Sequence, residues 1–176
     1  MPANIYGAGA LSPEAVAYIS APGSYNTFIE LNVIGLTMTG EVMDLPAGPL
    51  ATAFGGEYRS ERSRAEFDVL QQQGLNAGNA ILPTRGKYFV GEAFAEVNVP
   101  VLKDVFMAAR LDLRAGYRYS DYSTVGNENT WNAGFEWQPF SQLRVRGTAA
   151  QATRAPNINE LFAPAAQDFP PGLNDP

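Results

Sequence analysis

The sequence predicts an all-β fold: an antiparallel meander of about six strands from a transmembrane β-barrel, with short turns at one end and long loops at the other. Three observations support this prediction. Apolar and polar residues alternate with a period of two over several segments. The stretches between these segments are rich in Gly, Asn and Pro and alternate in length. The apolar side of the clearest segments carries Tyr or Trp, as barrel strands do where they leave hydrocarbon.

The chain begins with residues 1–25, which do not follow the alternation and are predicted to be loop-like. Ser12 followed by Pro13 is a typical helix start, so a short helix is expected over residues 12–19. The strand region is predicted over residues 26–162. Its strands are expected at residues 28–43, 50–64, 89–101, 110–120, 131–138 and 143–150.

The alternation is clearest in residues 110–120. Leu, Ala and Tyr occupy one parity of this segment, and Arg, Asp, Gly and Ser occupy the other. The neighbouring segments follow the same rule. Alternate residues from Phe89 to Val101, and again from Trp131 to Trp137, are apolar or Gly. Because successive side chains of a strand point to opposite faces, each segment is predicted to have one apolar and one polar face.

The connections are predicted to differ in length from one end of the sheet to the other. Short turns are expected at residues 45–49, 102–107 and 138–142. Longer loops are expected at residues 63–86 and 121–129 and after about residue 152. This asymmetry is typical of an outer-membrane barrel.

The composition excludes several classes of function. The 176 residues contain no Cys and no His, which excludes thiolate and imidazole metal sites, Cys nucleophiles and Ser-His-Asp triads. A formal net charge of -6 disfavours binding to nucleic-acid phosphates. The sequence also shows no apolar run of the roughly 20 residues that a spanning helix needs, and no signal-peptide pattern.

Several segments resemble the TonB-dependent outer-membrane receptors. They include residues 94–100 (FAEVNVP), 115–126 (AGYRYSDYSTVG) and 131–139 (WNAGFEWQP). The most specific is a run similar to the family's recurrent barrel signature. Its residues are Arg154, Ala155, Pro156, Glu160, Leu161 and Phe162. The resemblance covers nearly the whole chain.

The resemblance implies energy-coupled uptake of a scarce solute (an iron chelate, a vitamin or an oligosaccharide) across the outer membrane of a Gram-negative bacterium. Complete receptors of this family have a 22-stranded barrel and a plug domain that contacts TonB. We therefore expect a partial barrel domain that is truncated at both ends, with residues 163–176 as the start of a truncated loop. The implied partners are outer-membrane lipid, an unidentified solute and, only through the plug, the TonB complex. Because six strands cannot close a barrel, the fragment is not expected to transport by itself, and its open edge strands allow self-association.

Charged residues on the polar parity are the candidate ligand contacts. Arginines that line a barrel lumen could bind anionic groups of a solute, or they could pair with carboxylates across the strands. We favour the structural alternative. The candidates are Glu92, Glu96, Arg114, Arg118, Glu136, Arg144 and Arg146. No catalytic residue, metal site or cofactor is predicted.

Two alternatives from other classes stay open. One is a soluble β-protein with a hydrolase activity that uses a carboxylate pair. Glu92 and Glu96 share a strand face, as do Glu57 and Glu61, but a four-residue separation of roughly 13 Å is too long for a glycosidase pair. The other is a structural or oligomerising β-module. The environment of the apolar face distinguishes the three hypotheses. It is lipid for a barrel fragment, a closed core for a soluble protein and a partner for an oligomerising module.

Overall fold

The computed structural model describes residues 7–76 and 78–166, and within them the architecture is all-β, as predicted. The strands are β1 (Tyr25–Leu45), β2 (Gly48–Phe67), β3 (Thr84–Val105), β4 (Ala108–Tyr122), β5 (Gly126–Phe140) and β6 (Leu143–Gln151). They form one sheet in the order β1-β2-β3-β4-β5-β6, an antiparallel meander in which each strand pairs with its neighbour in the chain. The helices in the same residues are α1 (Pro13–Ile19), α2 (Val69–Gln72) and α3 (Ile158–Phe162).

The turns that join β1 to β2, β3 to β4 and β5 to β6 are short, as expected. The β2–β3 connection is long and contains α2. The β4–β5 connection is shorter than predicted, because only residues 123–125 lie between the two strands. Asn127 and Asn129 continue the ladder opposite Asp121 and Tyr119, although the sequence places them in a loop. Both Asn residues therefore belong to β5.

The helix expected over residues 12–19 is present as α1. The Ser12 hydroxyl accepts a hydrogen bond from the Ala15 N–H and thereby caps the first turn. At the other end of the strand region, β6 ends at Gln151, and α3 follows within the segment predicted as strands. Residues 1–6 of the predicted N-terminal segment and residues 167–176 of the predicted C-terminal loop lie outside the described residues. Within residues 7–76 and 78–166, no helix is long and apolar enough to cross a membrane.

The chain divides into two compact units. The first comprises residues 1–28, 64–85 and 162–176, as far as they are described. In it the Tyr25 and Phe67 rings lie 4.5 Å apart, and the Asp68 carboxylate accepts hydrogen bonds from the backbone N–H groups of Ser24 and Gln71. The second comprises residues 29–63 and 86–161, and it holds every candidate ligand contact that the sequence predicts.

The register of the second unit separates side chains by parity. Leu113 of β4 lies opposite Val99 of β3 and Phe135 of β5, whereas Asp112 lies opposite Glu136. We call the two sides the apolar face and the polar face. The apolar face carries Leu111, Leu113, Tyr117, Tyr119, Trp131, Phe135, Trp137 and Val145, and the polar face carries Glu92, Phe94, Glu96, Asp112, Arg114, Arg118, Ser120, Glu136 and Arg146.

Burial is the reverse of that in a soluble sheet, where the apolar face is covered. On the parity of the polar face, Val90, Asp112 and Ser120 are buried, with at most 5% of their surface accessible. On the apolar face, Tyr117 and Phe135 keep 52% and 42% of theirs. The apolar face is therefore an uncovered hydrophobic surface.

Gly55 on β2 lies at a closely packed position, where only a glycine fits. A Cβ added at Gly55 would overlap the Leu36 carbonyl oxygen and lie 2.9 Å from the Phe94 ring. The backbone oxygen cannot move without disturbing the strand, so only glycine fits. A Cβ at Gly91 on β3 would meet nothing within 4 Å.

We predict that Gly55→Ala lowers the free energy of unfolding by about 1–3 kcal/mol, because overpacking displaces backbone as well as a side chain. The measurement is urea unfolding in detergent micelles, followed by far-UV circular dichroism. Gly91→Ala is the matched control and is expected to change the value by less than about 0.5 kcal/mol. Equal effects of the two substitutions would contradict the packing described at Gly55.

Candidate functional site

The polar face holds two clusters of charged side chains. The first, the Glu92 cluster, consists of Glu57, Arg59, Glu61, Glu92, Arg118 and Ser120. Three of these residues alternate along β2 and so share a face, whereas Glu92 on β3 lies opposite Ser120 of β4. The sheet register brings these three strands together at one place.

The Glu92 carboxylate is the centre of this cluster. Its side chain is 6% exposed, and it accepts hydrogen bonds from the Ser120 hydroxyl at 2.6 Å and from Arg118 Nη1 at 3.2 Å. Arg59 Nη1 lies 3.8 Å from Glu92 Oε2 and also donates to Glu57 Oε1 at 3.0 Å. Arg59 Nε lies 3.3 Å from Glu61 Oε1. Buried carboxylates are tolerated when they are paired in this way.

Arg118 is held from a second side by an aromatic ring. Its guanidinium carbon lies 5.0 Å from the centre of the Phe94 ring, within cation–π distance. The Phe94 ring in turn packs at Gly55. Arg118 is thus fixed by a carboxylate and a ring.

The second cluster, the Glu136 cluster, consists of Arg114, Glu136, Arg144 and Arg146. Arg144 Nε lies 3.3 Å from Glu136 Oε1, and both Arg146 Nε and Arg114 Nη2 lie 3.9 Å from Oε2. Arg114 Nε also donates to Asn98 Oδ1 at 3.2 Å. The Glu136 carboxylate, whose side chain is 17% exposed, is therefore ion-paired with three guanidinium groups.

A buried carboxylate adjoins this cluster. Asp112 is 1% exposed, lies opposite Glu136 in the ladder, and accepts a hydrogen bond from Arg110 Nε through Oδ2. Its Oδ1 atom is buried without a hydrogen-bond partner among the described residues. Arg110 and Asp112 share a parity in the sequence, and that spacing could have identified the pair. Arg59 was likewise missed as a site residue, although it stands between Glu57 and Glu61.

Most of the predicted site residues therefore fall into the two clusters. Arg118 pairs with Glu92, and the other three arginines pair with Glu136. Glu96 is exposed opposite Gly116 and takes part in none of the ion pairs found in the described residues. Residues 7–76 and 78–166 include no group of three or more Asp or Glu side chains that could hold a metal ion.

The signature residues form a compact turn after β6. Arg154 makes two hydrogen bonds to the Glu160 carboxylate, at 2.9 and 3.0 Å. The Asn157 N–H donates to Glu160 Oε2, and the Glu160 N–H donates to Asn157 Oδ1, which together form a capping box at the start of α3. Ile158, the first residue of α3, is buried. Ala155, Pro156, Leu161 and Phe162 are half-buried.

Comparison with known proteins identifies one family. The family model described as TonB dependent receptor-like, beta-barrel matches residues 6–176. No curated protein matches the chain, and neither does any solved structure.

We predict that Glu92→Gln lowers the free energy of unfolding by about 1–3 kcal/mol, because it leaves Arg59 and Arg118 with less opposing charge beside a poorly hydrated position. The measurement is urea unfolding in detergent micelles. Glu128→Gln is the matched control, since Glu128 lies opposite Ser120 on β5 but belongs to neither cluster. A loss as large in the control would show that Glu92 is not the centre of a cluster.

The Glu160 carboxylate is predicted to make the signature turn sensitive to acid. Hydrogen bonds from Arg154 and, second, from the Asn157 N–H lower the pKa of Glu160 below its usual value. A lowered pKa means that the ionised form stabilises the folded turn. This contribution is complete above the ordinary Glu pKa and is lost as the pH falls through the lowered value.

The measurement is the amide resonance of Asn157 in micelles, followed by NMR from neutral pH to about pH 2.5, a range that spans the ordinary Glu pKa of about 4.3. We expect a titration with its midpoint below that value, and its loss in Glu160→Gln. A midpoint at or above the ordinary value would contradict the described hydrogen bonds.

Proposed function

The chain belongs to the TonB-dependent receptor-like β-barrel family, and we propose that its six strands form a sector of the barrel wall of a receptor that takes up a solute across the outer membrane of a Gram-negative bacterium. The family is one of outer-membrane receptors and transporters rather than of enzymes. The observation that carries the proposal for this chain is the uncovered apolar face opposite a polar face whose carboxylates Glu92, Asp112 and Glu136 are largely buried and ion-paired.

The length of the apolar face fits a membrane. On β4 it runs from Leu111 to Tyr119, eight residue steps that span about 27 Å at roughly 3.4 Å per step. A strand tilt of about 40° reduces this to about 20 Å, close to the roughly 25 Å apolar band of outer-membrane barrels. The band therefore suits the hydrocarbon thickness.

Aromatic residues lie at both ends of this band. Trp137 lies opposite Leu111 at one end, and Trp131 lies opposite Tyr117 near the other. Small residues, Ala115 and Ala133, lie between them. Aromatic girdles that flank an aliphatic zone are typical of strands that cross a bilayer, because Trp and Tyr favour the headgroup region.

The polar face then lines the solute path. We propose the seven charged residues predicted from the sequence as candidate contacts along this path: Glu92, Glu96, Arg114, Arg118, Glu136, Arg144 and Arg146. The solute is carried as a ligand of a receptor and not as the substrate of an enzyme. Consistent with this proposal, Glu57, Glu61 and Glu92 are ion-paired with Arg59, which does not favour a hydrolase built on those carboxylates.

Closure of the barrel requires more strands. The smallest membrane barrels need about eight, and β1 and β6 each have one neighbour in the described sheet. We propose that these two edges pair with further strands, and that exposed edges lead to self-association in the isolated sector. In this proposal the sector alone does not transport, and the TonB complex acts through a plug domain.

The test is a charge placed at the middle of the apolar face. We predict that Ala115→Arg lowers the stability of the lipid-inserted chain by about 2–4 kcal/mol, because Ala115 lies midway along the band and a guanidinium there faces hydrocarbon. The measurement is urea unfolding in lipid vesicles. Fluorescence quenching of Trp131 and Trp137 by brominated lipid verifies insertion of each variant.

Asn132→Arg is the control, because it adds the same charge on the polar face, where Asn132 lies opposite Gly116. It is expected to leave the stability nearly unchanged. If both variants lose stability equally, or if the wild-type chain is soluble without detergent and its tryptophans are not quenched, the proposed membrane function is wrong.

A further inference from the structure

We propose that Arg62 on β2 and Lys87 on β3 form a binding site for the phosphate headgroup of a membrane lipid, at the long-loop end of the sheet. We call these two residues the basic pair. The inference rests on the proposed function, because it requires the apolar face to lie in a bilayer. It goes beyond that function by assigning a lipid ligand to a site outside the solute path.

The first argument is the side of the sheet on which the basic pair lies. The Tyr58 and Phe89 rings stack with their centres 6.2 Å apart, so the two residues lie on the same side of β2 and β3. Arg62 is four residues after Tyr58, and Lys87 is two residues before Phe89, so both share that side. On β3 the same parity pairs with that of Tyr119 on β4, which belongs to the apolar face.

The second argument is the depth of the basic pair in the bilayer. From Phe89 to Val99 the apolar parity of β3 covers ten residue steps, about 34 Å along the strand at roughly 3.4 Å per step. A strand tilt of about 40° reduces this to about 26 Å, close to the roughly 25 Å apolar band of outer-membrane barrels. Lys87 lies about 7 Å beyond Phe89 along the strand and therefore reaches the headgroup region.

The third argument is the short distance between the two cations. On the polar face the Tyr88 hydroxyl interacts with the Glu61 carboxylate, so these two positions are cross-strand neighbours. Because the strands are antiparallel, Arg62 after Glu61 and Lys87 before Tyr88 are neighbours on the other face. Like charges at such positions destabilise a sheet, and an anion between them offsets the repulsion. A phosphate has several acceptor oxygens and can accept hydrogen bonds from both side chains.

The basic pair is exposed and takes part in none of the ion pairs found in the described residues. Asp121, on the same face, lies opposite Gly91, about 13 Å along β3 from Lys87. Both β2 and β3 have a neighbouring strand on each side. Strands that close the barrel therefore add at the edges of the sheet and not over the basic pair.

The position of the basic pair selects a lipid as the source of the phosphate. Arg and Lys side chains extend along apolar surface while their charged ends reach the headgroup layer. A lipid phosphate is held in that layer by its acyl chains, and basic residues beside the layer attract anionic headgroups. The site therefore binds a lipid whose acyl chains lie along the apolar face.

The experiment uses the full chain in zwitterionic detergent micelles, where NMR follows the backbone amide resonances of Arg62, Lys87 and Lys103. The probe is a short-chain phosphatidic acid, and short-chain phosphatidylcholine is the comparison without net charge. We expect saturable shifts at Arg62 and Lys87 but not at Lys103, and at least tenfold weaker binding of phosphatidylcholine. Added salt weakens the phosphatidic acid complex by screening.

Arg62→Gln and Lys87→Gln are each expected to weaken phosphatidic acid binding roughly three- to tenfold, because each removes one charge-assisted contact. Lys87→Arg keeps the charge and is expected to keep most of the affinity. Lys103→Gln is the matched control, because it removes the same charge near the other end of β3, and it should have little effect. Far-UV circular dichroism checks that each variant is folded.

Equal binding by wild type and by the Arg62→Gln and Lys87→Gln variants would overturn the inference, as would equal affinity for the two lipids. Inorganic phosphate that binds as tightly as phosphatidic acid would also overturn it, because the site would then be one for the free ion.

Quenching of Trp131 and Trp137 by brominated lipid in vesicles tells this failure from failure of the proposed function. A chain that enters lipid and does not prefer phosphatidic acid keeps the barrel function and loses the lipid site. A chain that does not enter lipid loses both.

Discussion

The two-residue period of side chains along a β-strand is the constraint on which the rest of this structure depends. Because of the strand register, Leu113, Ala115 and Tyr117 lie opposite apolar residues, whereas Asp112 lies opposite Glu136 and Arg114 lies opposite Asn98. A slip of one residue between two strands would place the charges of one beside the hydrophobic residues of the other. The separation of faces therefore helps to fix the register.

Burial of carboxylates on the polar face requires these charges to be paired. Asp112 and Ser120 are nearly inaccessible, and Glu92 is close to that. A carboxylate at such a position is tolerated only with partners, because desolvation disfavours an isolated charge. The arginines are thus part of the packing as well as of the charge pattern. Glycines make room for this packing, as Gly55 does beneath the Phe94 ring.

The strands and their parities could be predicted from the sequence, because alternation is a local property. The length of the β4–β5 turn could not, since Asn127 and Asn129 favour turns locally and are held in β5 by pairing with Asp121 and Tyr119. The position of Arg59 beside Glu92 depends on the alignment of β2 with β3, which the alternation within either strand does not determine. In the signature, the spacing of Asn157 and Glu160 indicates a capping box. The hydrogen bond from Arg154 to Glu160 could not be predicted in the same way, because it depends on how the chain turns after β6.

The unequal clusters bear on how the polar face is used. A face that only had to stay hydrated and rigid would be most stable with balanced charge, and the Glu92 cluster nearly has it. In the Glu136 cluster the three arginines repel one another, and one carboxylate offsets only part of that repulsion. Their exposure lets solvent reduce the unfavourable energy without removing it. An arrangement of this kind is stabilised further by any anionic group placed beside it.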